Sequence, residues 1–345
     1  MKLRLVLFNT VFFLILFVCT EVLLRLTLVF FGYPFLQPSG YICKGFYKEL
    51  EAVEKKDIKS NDKVIDILIL GGSVVSTPWS NMGGRLDTIL RKTYRNGEQF
   101  AFYNVAAAGH TSLDNRLKYE LLDKQRFDLV IYYEAINENR ANNIPAKDFY
   151  PDYSHIKWYS DIHLLLAHPE IDFIVTPYIC AKLIRAVKDL VTHKIYVSQE
   201  KVNPVFVKYG GDIKTAASYE KNIDTIIKIA QKRGDKLLLM SYASYFPPKV
   251  KLTGEENDMK HFANCNYASP VIIWGAPGHV QKGIEVHNQI LRKLVLKNHV
   301  SFLDMAKRMP ADSSFFCDVC HVSEPGARYF AKEVSNFIIE KKLIP

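Results

Sequence analysis

Residues 64–73 read Val64-Ile65-Asp66-Ile67-Leu68-Ile69-Leu70-Gly71-Gly72-Ser73. A short apolar run, interrupted only by Asp66 and closed by two glycines, is the pattern of a strand covered on both faces. Strands of that kind belong to parallel sheets with helices on either side. The flanking sequence continues in kind. Residues 86–94 have helical spacing, 100–105 form a second strand, 113–124 a helix and 129–133 a third strand. Further on come a strand at 236–242, a helix around 280–297, a strand at 300–303 and an amphipathic helix from about 325 to 341. This alternation predicts a parallel sheet with helices on both faces.

The chain has 345 residues, 48% hydrophobic and 23% charged, a composition that excludes disorder, collagen and small disulfide scaffolds. Its net charge of +9 is scattered and builds no basic block or nucleic-acid motif, so no nucleic-acid partner is expected. The excess suits an anionic envelope or an acidic polymer. The N-terminus decides the compartment. Leu5 to Thr20 carries no charge. A helix continuing to Phe31 would be about 40 Å long, against a hydrocarbon core of about 30 Å. Glu21 and Arg25, four apart, can pair on one helix face, and Arg25 would snorkel outward. Lys2 and Arg4 precede the apolar run and predict a cytoplasmic N-terminus, with everything after about Gly32 extracytoplasmic. Phe17-Val18-Cys19-Thr20-Glu21 offers no small-x-small cleavage site, which favours an uncleaved anchor over a signal peptide. Residues 1–32 are therefore expected as a membrane anchor and 33–62, with two prolines and a charged stretch, as a stalk. Residues 63–345 are expected as the α/β domain, interrupted at about 140–235 by a largely helical insertion.

Parallel sheets place their sites beyond the carboxyl ends of the strands. Four places there carry chemistry: Gly71-Gly72-Ser73 after the first strand, Gly109-His110 after the second, Ala135-Ile136-Asn137-Glu138 after the third, and Asp318-Val319-Cys320-His321 before the last helix. Acyl transfer needs a hydroxyl nucleophile, a base, a group that fixes the base's tautomer, and donors for the oxyanion. Ser73 can serve as nucleophile, His321 as base and Asp318 as its orienter. The backbone amides of Ser73 and Gly109 and the side-chain amide of Asn137 can form the oxyanion hole. Taken singly, Gly-Gly-Ser, Gly109 and Asn137 are ordinary turn formers. No Gly-x-Ser-x-Gly elbow is present.

These four blocks, in this order, resemble those of the SGNH hydrolases, also called the GDSL family, over about residues 64–340. Gly72 stands where the family has aspartate, and Ala135 and Glu138 replace the glycine and aspartate around Asn137. The resemblance implies a flavodoxin-like three-layer α/β/α sandwich and serine-mediated ester cleavage without metal or cofactor. By family analogy and location the expected substrate is an O-acetyl or short acyl ester on an envelope carbohydrate. An O-acyltransferase acting on an extracytoplasmic polysaccharide is the first alternative, and a non-catalytic polysaccharide-binding or assembly protein the second. The sequence names no protein partner.

Three further features invite a role. Cys317-Asp318-Val319-Cys320-His321 matches the C-x-x-C-H attachment signature of c-type haem, but His321 cannot be both iron ligand and free base. The bland readings are a local disulfide or a packed thiol. The six cysteines, at 19, 43, 180, 265, 317 and 320, fix no pairing by their spacing. His110 can contact substrate or simply be solvated. The aromatic stretch 149–159 can contact sugar faces or pack the insertion onto the core.

Overall fold

The computed structural model describes residues 2–59, 64–94, 99–198, 202–255, 258, 262–263, 265 and 267–344, and of 41–44 only the backbone. The longer elements begin with α1 (Lys2–Phe30), α2 (Pro38–Phe46), β1 (Val64–Gly71), α3 (Met82–Thr93), β2 (Gln99–Asn104), α4 (Ser112–Leu121) and β3 (Leu129–Tyr133). They continue with α5 (Lys157–Leu166), α6 (Thr176–Val191), α7 (Ala216–Arg233), β4 (Lys236–Met240), α8 (Pro277–Asn298), β5 (Ser301–Leu303) and α9 (Glu324–Glu340). Two compact units result, one of Met1–Lys48 with Lys157–Tyr196, the other of Glu49–Ile156 with Val197–Pro345.

The larger unit is built on a five-stranded sheet in the order β2-β1-β3-β4-β5, every pair parallel. That is the flavodoxin-like order, in which the chain reverses direction between β1 and β3. The run that opened the sequence reading is the central strand, with Ile67 to Leu70 fully buried. Its one charged residue, Asp66, accepts a hydrogen bond from the Tyr103 hydroxyl of β2 at 2.8 Å. Crossovers of one hand that run in opposite directions along a parallel sheet put their helices on opposite faces. Accordingly α3 packs with α9 in one layer, while α7 packs with α4 and α8 in the other.

The boundaries expected between anchor, stalk and domain differ from those observed. Residues 33–62 are divided between the units: Leu50, Val53 and Ile58 are buried, and Arg126 N donates to Ile58 O. Apolar side chains hidden among the charges of this stretch are buried in the larger unit. The insertion expected at 140–235 also contracts. Only 157–196 leaves the larger unit, and α7 is the crossover helix between β3 and β4, with Ile223, Ile226 and Ile227 fully buried.

The smaller unit has its own core of Leu165, Ile171, Val175 and Tyr178, against which Leu28, Tyr33 and Phe46 pack. Among the described residues α1 is the one helix long and apolar enough to cross a membrane, with mean hydropathy 2.3 over 18 residues that the protein leaves uncovered. The expected pair forms, with Arg25 Nε 2.8 Å from Glu21 Oε1. Arg25 does not reach outward, however. It is buried, and its guanidinium donates to the carbonyls of Phe35 and Asp172.

Candidate active site

Four chain turns converge at the carboxyl end of the sheet. Gly71 N-terminal to the first turn meets the carbonyl of Tyr133, where an added Cβ would sit 2.6 Å from that oxygen, so β1 and β3 leave no room for a side chain there. Gly72 is equally constrained: a Cβ would lie 1.9 Å from Glu134 Oε2 and 2.9 Å from Asn137 Nδ2. The buried Glu134 carboxyl occupies the space that a side chain at position 72 would take. Glycine at position 72 thus has a steric counterpart in the residue that follows β3. Ser73 follows as the first residue of a short 3-10 turn.

The Ser73 hydroxyl is 2.7 Å from His321 Nε2, and His321 Nδ1 is 2.6 Å from Asp318 Oδ2. All three side chains are buried, yet His321 lines an open cavity. The loop carrying them is held at both ends. Asp318 Oδ1 accepts from the backbone N–H of Cys320 and of His321, and Ser323 caps α9 by accepting from Gly326 N. Burial acts to raise the Asp318 pKa, but the His321 charge, the bond to Nδ1 and the two backbone donors outweigh it and hold the carboxyl below the usual range. A carboxylate so fixed selects the imidazole tautomer with its proton on Nδ1 and leaves Nε2 able to accept from Ser73.

The second and third turns are tied together. Gly109 has φ +80°, a left-handed conformation that favours glycine, and a Cβ there would meet Arg140 Nη1 at 3.1 Å. The next turn starts α4 with a capping box between Thr111 and Asp114. Asn137 Nδ2 donates to His110 O at 2.9 Å, and Asn137 Oδ1 accepts from Trp274 Nε1 at 2.9 Å. Because Nδ2 also lies against Gly72, the amide sits beside the Ser73 turn with its plane fixed on two sides. The structure therefore brings Ser73, Asp318, His321 and Asn137 together and places Gly109 in the adjoining turn.

No family model and no curated protein matches the sequence. Among solved structures, the chain is similar to a GDSL-like lipase from Bacteroides thetaiotaomicron, with 13% identity and a TM-score of 0.44 over 86% of this chain and 98% of that one. It is similar to a lipase/acylhydrolase from Enterococcus faecalis at 11% identity and a TM-score of 0.43, covering 80% and 96% of the two chains. An acetylxylan esterase from Geobacillus stearothermophilus gives 12% identity and a TM-score of 0.41, covering 82% and 96%.

Several functional neighbours carry no sequence motif. Trp79 stacks on the His321 ring, with centroids 3.8 Å apart, and meets Tyr267 at 5.1 Å. Together with Arg85, Glu324, Cys265 and Cys317 they line a cavity of about 390 Å³ against His321. Glu134 Oε1 accepts from Asn137 N, and burial pushes its pKa up to about 8. Only the pairing of Glu134 with Gly72 could have signalled this, and that pairing is made across the sheet.

The remaining expectations resolve as follows. Cys317 forms its disulfide with Cys265, 52 residues earlier, and Cys320 remains a buried thiol. Neither a 317–320 bridge nor two thioether links to haem can then form. Asp318, Cys320 and His321 bring possible metal-ligand atoms within 4.8 Å of one another, but both imidazole nitrogens are already engaged by Asp318 and Ser73. His110 is buried rather than solvated, with Nδ1 2.9 Å from the fully buried Lys118 Nζ. Burial, then the Lys118 charge, lowers the His110 pKa to about 4, so the ring is neutral. The aromatic stretch packs inward in part, leaving Tyr150 47% exposed. Tyr153 and Tyr159 are fully buried, the Tyr153 hydroxyl bonding Glu138 and Trp158 meeting Phe46 edge to face.

Proposed function

We propose that this chain is a serine esterase of the SGNH type acting on acylated carbohydrate outside the cytoplasm. The observation that carries this reading is the continuous chain of bonds from Ser73 Oγ through His321 to Asp318, opening on an aromatic-walled cavity. Ser73 Oγ attacks the acyl carbon while its proton passes to His321 Nε2. The oxyanion takes hydrogen bonds from the Ser73 and Gly109 amides and from Asn137 Nδ2. Burial keeps Glu134 protonated near neutral pH, so it does not oppose that negative charge. The imidazolium then gives its proton to the departing alcohol. Water enters with His321 again as base and releases the acid, restoring the serine. Trp79 and Tyr267 offer ring faces with polar tips, which suit a sugar on the alcohol side. Nothing in these steps calls for a metal or cofactor. The N-terminal apolar helix supports attachment to a membrane, with the positive residues before it supporting a cytoplasmic N-terminus.

The test uses the full chain in detergent with a fluorophosphonate, aryl esters and acetylated glycans. Wild type is expected to be labelled and to release acetate. Ser73→Ala is expected to lose both, at least a thousandfold in turnover, with little change in its thermal transition. Persistent labelling would move the nucleophile elsewhere. Ser76 is a poor substitute because its hydroxyl is spent on Ser73 O at 2.8 Å. Acetate that appears only on an added sugar would assign an acyltransferase, and no reaction at all would assign a binding protein.

A further inference from the structure

Helix α6 is amphipathic in the wrong sense for a water-facing helix. Two of its polar residues point inward: Arg185 donates to Ser160 O and pairs with Asp161, and Asp189 accepts from the Tyr196 hydroxyl. Tyr178 near its start faces the core, but from residue 183 on its large apolar residues point out. Leu183, Ile184, Val187, Leu190 and Val191 are each between 61% and 73% exposed. At about 100° per residue these five fall within one sector roughly 120° wide. Lys182 and Lys188, both exposed, flank that sector on its two sides. Just before the helix Phe173 is 83% exposed.

What covers this face is indicated by where α6 begins. Its first turn is bonded to α1: Glu21 accepts from Val175 N, from Thr176 N and from the Thr176 hydroxyl, while Arg25 donates to Asp172 O. The uncharged part of α1 ends at Thr20, one residue before this attachment. A span of about 20 residues fills a hydrocarbon core of about 30 Å. If that span is the membrane anchor, the attachment lies at its boundary. We propose that α6 is a second, in-plane membrane contact, its apolar face seated in the headgroup boundary of a phospholipid bilayer and Lys182 and Lys188 turned to the lipid phosphates. An outward apolar stripe edged by lysines is the form such interfacial helices take. The inward polar bonds fix which face is presented. The proposal rests on the anchor reading, and is independent of the esterase chemistry.

The experiment uses the full chain with Cys19→Ser, Cys43→Ser and Cys180→Ser, reconstituted in phosphatidylcholine vesicles containing a minority of phosphatidylglycerol. Nitroxide labels are placed singly at Val187→Cys, at Leu190→Cys as a second outward position, at Leu14→Cys in the anchor and at the exposed Glu120→Cys as an aqueous reference. Accessibility to oxygen and to a water-soluble nickel chelate is then compared. The expected result is an oxygen-to-nickel ratio at 187 and 190 severalfold above that at 120, with 14 higher still. A lipid-like value at 14 with water-like values at 187 and 190 would overturn the in-plane helix while leaving the anchor intact. A water-like value at 14 would overturn the anchor and the proposal with it. Spin-spin broadening at 187 that survives dilution with excess lipid would mean that a second copy covers the face, and would also overturn the proposal.

Discussion

At Asn137 a single side chain carries two kinds of consequence. Read as a turn former it would be replaceable at small cost. In the structure it is buried, donates to His110 O and accepts from Trp274 Nε1. Asn137→Ala is therefore expected to lower stability, by about 1–3 kcal/mol for each group left unsatisfied. As an oxyanion donor it should also lower turnover roughly a hundred- to a thousandfold with little change in apparent affinity. Steady-state kinetics alongside chemical denaturation separates the two. Trp274→Phe serves as the companion variant: it removes the indole N–H that donates to Asn137 Oδ1, along with part of a buried ring, while leaving the Asn137 amide in place; a loss of about tenfold in turnover is expected. Equal turnover in wild type and Asn137→Ala would remove Asn137 from the oxyanion hole. Asn137 was legible in the sequence because it ends an apolar run. Its partners were not, because Trp274 lies 137 residues away and only the packing of the loops brings the two together.

At the scale of the elements, the turn that follows β3 buries two carboxyls close together in the chain. Glu134 and Glu138 are fully buried, and burial, the largest cause for each, raises their pKa values to about 8 and about 7. Glu138 joins two elements, accepting from Ser112 N at the start of α4 and from the Tyr153 hydroxyl. At these two carboxyls the folded chain binds more protons than the unfolded chain between about pH 4.5 and the raised values, so the stability they contribute falls as pH rises through that window. Each unit of displacement is worth about 1.4 kcal/mol. Urea unfolding at pH 5 and pH 8.5 is expected to show wild type weaker at the higher pH. Glu134→Gln or Glu138→Gln is expected to flatten that difference by at least 1 kcal/mol, because a neutral amide has no proton to lose. An unchanged slope would mean that neither carboxyl is held protonated by the fold. Turnover tells the two apart: Glu138→Gln should be tolerated, whereas Glu134→Gln alters the group that accepts from Asn137 N.

For the whole molecule, the orientation expected from Lys2 and Arg4 is tested by fusing to the C-terminus a reporter active only outside the cytoplasm. The fusion is expected to be active. A silent fusion made at normal level would reverse the topology. The sequence by itself determined the alternation of strands and helices, the apolar N-terminal helix and the residues at the strand ends, because each is written in a local pattern of about ten residues. Only the tertiary structure decided the strand order, the 265–317 disulfide, the Gly72–Glu134 exchange of space, the Trp79 stack on His321 and the outward apolar face of α6. Each of these depends on residues distant in sequence meeting, or on which face of an element is covered. Periodicity can mark one face of α6 as apolar, but the bonds from Arg185 and Asp189 turn that face outward.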